Sequence, residues 1–143
     1  MRRVLRLVLA VVAGLVIGGV VNMGLILASG HVIPPPAGAD VTTAEGLKAS
    51  IHLFEPRHFL FPFLAHALGT FGGAAVATLL APGRTRGPAW VVGGAFLLGG
   101  IVNAIMLPAP LWFSVLDLAL AYLPAAWLGH RVVARSVAGR ARD

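Results

Sequence analysis

Four long apolar stretches alternate with short polar connectors along this chain, at roughly Leu7–Ala28, Phe59–Ala81, Ala89–Leu107 and Leu111–Leu128. A helix needs about 20 apolar residues to cross a bilayer. The pattern therefore predicts four membrane spans, at about residues 5–28, 59–81, 89–107 and 111–131, with a connector at about residues 29–58. The expected fold is an all-α membrane protein, a single four-helix transmembrane domain over residues 1–143.

Each stretch carries one strong polar group: Asn22, His66, Asn103 and Asp117. At 1.5 Å per helical residue, all four fall roughly 6–11 Å below the same end of their helices. They are expected to form one polar layer in one half of the membrane. Polar and ionisable groups in hydrocarbon are costly, so they face a protein interior and mark function or helix–helix contacts. One reading is a pocket in which Asp117 is the anion, His66 its partner, and the two amides complete the hydrogen bonds. The competing reading is that the same groups only hold the helices together.

The first and third stretches share a nine-residue pattern. Gly14-Leu15-Val16-Ile17-Gly18-Gly19-Val20-Val21-Asn22 aligns with Ala95-Phe96-Leu97-Leu98-Gly99-Gly100-Ile101-Val102-Asn103. Both place two small residues and an asparagine at i, i+4 and i+8, on one helical face. Small residues at that spacing allow close helix contact in lipid. Pro56 and Phe59 before Leu64-Ala65 echo Pro110 and Phe113 before Leu118-Ala119 more weakly. Two helical hairpins related by a pseudo-twofold repeat are expected.

The long connector is patterned too. His31-Val32-Ile33-Pro34-Pro35-Pro36 is expected to be extended, because proline fixes φ and disfavours helix before it. Thr42-x-x-Glu45 has the form of a capping box. It predicts a short amphipathic helix through about Leu53, with Leu47, Ile51 and Phe54 on its apolar face, lying over the polar layer as a lid. Pro62 either begins the second span or kinks it, and Pro124 predicts a kink in the fourth.

Composition supports the membrane reading: 58% of residues are hydrophobic and only 11% charged, with a mean hydropathy of +0.89. The net charge of +6 reads as topology rather than nucleic-acid binding. Nine of the eleven basic residues are Arg2, Arg3, Arg6, Arg84, Arg86, Arg131, Arg135, Arg140 and Arg142. They cluster at the two termini and in the connector between the second and third stretches, and short arginine-rich segments stay cytoplasmic. The expected topology is N-in, C-in, with the long connector outside. The first apolar run exceeds a signal-peptide core, so it is expected to remain as a span.

The chain has no cysteine, which excludes a thiol nucleophile or thiolate metal site. His52, Glu55 and His58 are candidates for part of the lid or, by side-chain type, for a divalent metal site. Their spacing does not favour the metal, because Pro56 interrupts the backbone, and a Glu55–Arg57 pair is the simpler expectation. No cofactor is expected and no catalytic residue is assigned. Tyr122, Trp90, Trp112 and Trp127 fit interfacial belts or packing.

The stretch from His52 to Gly69, together with Gly18-Gly19-Val20-Val21-Asn22, Gly99-Gly100-Ile101-Val102-Asn103 and Leu107-Pro108-Ala109-Pro110, resembles a family of small four-span bacterial membrane proteins with no assigned function. The resemblance implies a bacterial inner membrane and carries no activity or ligand. The function expected from the residues is binding or movement of a small solute or protons at a pocket open to the outside. The expected partners are lipid and further copies of the chain. An accessory subunit of a larger membrane complex, and a metal-dependent membrane enzyme using the connector histidines, are the alternatives.

Overall fold

In a computed structural model, residues 1–140 are described, with side chains as far as Ser136. Of the basic tail, Arg142 lies outside the described residues and Arg140 is described by its backbone alone. The elements in chain order are α1 (Arg2–Val32), α2 (Ala44–Ser50), α3 (Leu60–Leu80), α4 (Gly87–Met106), α5 (Leu111–Leu120) and α6 (Leu123–Arg140), joined by short 3-10 turns. Four segments are long and apolar enough to cross a membrane: Arg2–Val32, Pro56–Leu80, Gly87–Met106 and Leu111–Ser136. These fit a multi-pass membrane protein.

The ends follow local chemistry. α1 runs past its expected limits at both ends and stops where Ile33 turns extended before Pro34. Pro62 does not kink α3. It lies in the first turn, where a backbone N–H would have no helical partner. The α3–α4 connector turns through left-handed backbone at Gly83, φ 67°, and Arg84, φ 51°. Pro88 sits in the first turn of α4.

The fourth apolar stretch is one span-length segment divided into two helices, an interruption sharper than the kink expected of Pro124. Pro124 has no N–H to give the Leu120 carbonyl, and the helix breaks at Ala121–Tyr122. The last regular bond runs from the Ala121 N–H to the Asp117 carbonyl at 2.9 Å, and the helix resumes with the Ala126 N–H on Tyr122 at 2.8 Å.

α3 is the central helix, packed against α1, α4 and α6. Its contact with α1 is built on two glycine pairs. A Cβ on Gly14 would stand 2.6 Å from the Gly73 carbonyl oxygen, and one on Gly18 would stand 2.7 Å from that of Gly69. Only glycine lets the two backbones approach this far, which is how helices gain packing energy in lipid. The matching motif on α4 is used differently. A Cβ on Gly99 would meet no atom within 4 Å. Its neighbour Gly100 is the one pressed against a partner, the Tyr122 ring, and Gly93 abuts Ala126.

α2 closes one end of the bundle, with its cap one residue later than expected. Thr43, not Thr42, accepts the Gly46 N–H at 2.9 Å. Thr42 is held instead by Asp40, whose carboxylate accepts both its N–H at 2.8 Å and its hydroxyl at 2.6 Å. Those bonds hold the Asp40 carboxyl below its ordinary value of 3.8, with the Thr42 hydroxyl the larger cause. The Asp40 N–H donates to Ser50 at 3.0 Å, tying the start of the segment to its end.

Candidate functional site

Asp117, on α5, is buried, and two donors converge on its carboxylate. His66 Nδ1, from α3, lies 2.9 Å from Oδ1 and 3.0 Å from Oδ2. The Tyr122 hydroxyl donates to Oδ2 at 2.8 Å. The imidazole proton is assigned to Nδ1 because both carboxylate oxygens face it; two donors on one carboxylate are the arrangement of an ionised acid. The side chains of His66 and Asp117 are 17% and 6% exposed. The Tyr122 ring stacks on His66 at 5.7 Å between centroids and 28° between planes, so the imidazole is fixed on its edge and on one face.

His66 lines a groove of about 390 Å³ in the crevice between α1 and α4. Asn22 and Leu15 form its α1 wall. Ala95, Phe96, Gly99, Gly100 and Asn103 form its α4 wall, and Tyr122 completes it. With Nδ1 committed to Asp117, Nε2 is the ring nitrogen left for a ligand. Three of the four expected polar residues thus share one groove, while Asp117 is not among its lining residues and contacts His66.

Asn22 packs over Gly69, where an added Cβ would come 2.9 Å from its own. Its Oδ1 is buried and has no hydrogen-bond partner among the described residues, and neither has the hydroxyl of Thr70 on α3. A buried polar atom left unpaired costs about 1–3 kcal/mol.

Asn103 sits at the mouth. It lines the groove and also a second cavity of about 370 Å³, beneath Ala44, Glu45, Leu47 and Lys48 of α2. Leu47 in turn borders a third cavity with Phe54, His58, Phe61 and the end of α1. α2 ends at Ser50, short of the expected Leu53, and Ile51–Leu53 is a 3-10 turn; Leu47 and Phe54 of the expected apolar face border these cavities, and the space beneath α2 adjoins the polar groove at Asn103.

The connector cluster does not assemble. His52 and Glu55 are exposed and His58 is buried. His58 Nδ1 accepts the Glu55 N–H at 3.0 Å, so its proton sits on Nε2. Glu55 pairs with Arg57 at 3.0 Å, an exposed pair worth at most about 1 kcal/mol. Among the described residues no three His, Cys, Asp or Glu side chains come together as a metal site would require. His58 borders the cavity at the end of α1, not the polar groove.

Tyr122, expected as a belt or packing residue, is indeed buried and packed against Gly100, and it also donates to Asp117, a role that sequence reasoning missed. At i+5 from Asp117 it would lie about 140° away around an unbroken helix. Pro124 was the available signal, because the break it causes swings Tyr122 onto the carboxylate. Trp112 and Trp127 are both exposed: Trp112 meets Phe59 and Phe113 edge-on, and Arg131 lies 4.6 Å over the Trp127 ring.

Compared with known proteins, the chain matches no family model, no curated protein and no solved structure.

Proposed function

We propose that this chain is a multi-pass protein of the bacterial cytoplasmic membrane whose polar groove binds or moves a small solute or protons. One observation carries the reading: a mostly buried imidazole lines a groove bordered by two amides, with its Nδ1 held by a buried carboxylate that also accepts a tyrosine hydroxyl. An imidazole changes charge between about pH 5 and 8 and can pass a proton from one nitrogen to the other. The groove-lining residues include no serine, threonine or cysteine to act as nucleophile, which favours binding and proton handling over covalent catalysis.

The arginine asymmetry favours the N-in, C-in topology, with α2 and the mouth at Asn103 outside. Asn22 and Asn103 hold equivalent positions in the nine-residue match and border the same groove, which favours descent of the two hairpins from one duplicated unit. The groove lies at the α1–α4 crevice, so a second copy of the chain, or a partner subunit, fits as its outer wall.

The test is a thermal-stability panel. Wild type and Asp117→Asn, purified in detergent, are heated with small cations, anions and neutral solutes at acidic and at neutral pH. A bound solute stabilises in proportion to the logarithm of its concentration above Kd. At least one solute, or pH itself, is expected to stabilise wild type and not the variant. Identical responses throughout would remove the groove as the functional site.

A further inference from the structure

The charges around the groove do not balance when the imidazole is neutral. Asn22 on α1 and Asn103 on α4 are uncharged. Tyr122 acts as a donor, and no Lys or Arg is among the lining residues. On α2, Glu45 and Lys48 border the adjoining cavity with opposite charges. His130, on α6, is engaged with Thr78 at 3.3 Å, three turns along α3 from His66. Asp117 is therefore the one uncompensated charge facing His66. Leaving a single buried carboxylate unpaired costs several kcal/mol. Two species can compensate it: a proton on His66 Nε2, which makes an imidazolium–carboxylate pair, or a cation in the groove beside a neutral imidazole.

Building on the groove reading, we infer that the ligand is a small cation bearing N–H donors, ammonium or a primary amine, and that it exchanges one-for-one with the His66 proton. The acceptors fit this class. The neutral imidazole, held through Nδ1, offers the Nε2 lone pair. Asn22 Oδ1 has no donor, and its amide torsion is soft enough to turn toward one. Phe96 and Tyr122 add aromatic walls, which attract cations through the ring quadrupole. An anion would meet the Asp117 field with no lysine or arginine to oppose it. In the exchange no covalent bond changes except N–H: the Nε2 proton leaves to water, the cation takes its place, and the groove stays neutral.

The experiment titrates methylammonium chloride into the detergent-purified protein at about pH 6, where an ordinary imidazole is largely protonated. Heat and proton release are read together, the latter with an indicator dye in weak buffer. Wild type should bind methylammonium and release about one proton per cation, falling toward none well above the imidazole range. His66→Gln should bind the cation without releasing a proton, a separation that a merely structural role would not produce. Asp117→Asn should lose both, and Asn22→Ala should bind roughly tenfold more weakly. Should the Asp117 variant fail to fold, methanol is the control on wild type, being neutral and of the same heavy-atom count; it should release no proton. Binding by wild type without proton release, or equal release by methanol, overturns the exchange. A response to neutral or anionic solutes but not to methylammonium overturns the cation class and leaves the groove reading standing. Silence to every solute removes both.

Discussion

Tyr122 reaches back across the break between α5 and α6 to donate its hydroxyl to Asp117 at 2.8 Å. The tyrosine is 1% exposed, so the carboxylate gains a donor that water does not supply. That bond links the helix break to the polar groove, because the same ring stacks on His66 and fills the space left by Gly100.

Tyr122→Phe should keep the ring and lose the donor. Leaving a buried carboxylate one bond short costs about 1–3 kcal/mol, to be read as a lower unfolding midpoint in detergent. A Phe variant as stable as wild type would show that Asp117 draws no support from the hydroxyl.

Asp117→Asn and His66→Gln should be non-additive. Groups in direct contact couple by about 0.5–3 kcal/mol, and this pair is half-buried to buried. A double-mutant cycle on stability, repeated across pH, measures the coupling. It should be larger where the imidazole is charged, and additivity at every pH would separate the two residues.

The glycines of the repeated motif should differ in tolerance. Gly18→Leu drives a side chain into the Gly69 carbonyl and the Phe96 ring and should destabilise by about 1–3 kcal/mol or more. Gly19→Leu meets open space and should be near neutral. Gly99→Leu should leave stability close to wild type while filling the groove and abolishing its ligand response. Equal unfolding midpoints for the Gly18 and Gly19 variants would contradict the α1–α3 contact.

Orientation is open to direct labelling, since the natural chain has no cysteine. In intact cells an impermeant maleimide should modify Lys48→Cys and spare Thr85→Cys. The reverse pattern would invert the topology.

The segment leading into α2 should respond to acid. Its Asp40 carboxyl is held below 3.8 by the Thr42 hydroxyl and N–H, a depressed folded value. The associated stability is present above the unfolded value and is lost as pH falls through the folded one. Asp40→Asn should therefore be less stable than wild type at about pH 7, with the gap narrowing as the pH falls below the unfolded value and through the lower folded one. A gap of constant size, followed by thermal unfolding, would mean that the carboxylate charge plays no part.

The length of its apolar runs was enough to mark out four helices long and apolar enough to cross a membrane, because hydrophobic length is a one-dimensional property. The same logic made Asn22, His66, Asn103 and Asp117 legible, since polar atoms inside such runs need partners wherever they fall. The Asp117–His66 pair followed from there being one acid and, at a similar depth, one imidazole. The sequence could not say which glycine faces which helix. Gly18 and Gly99 hold equivalent positions in the nine-residue match, yet one is sealed against Gly69 and the other borders an open groove. That difference is set by how α3 packs between its neighbours, a long-range arrangement that spacing does not encode. Thr43 caps α2 in place of Thr42, whose hydroxyl is turned away to donate to Asp40. Tyr122 entered the site because a proline two residues away cost Leu120 its hydrogen bond and turned the chain. Periodicity gives each helix its faces; only the packed bundle decides what each face meets.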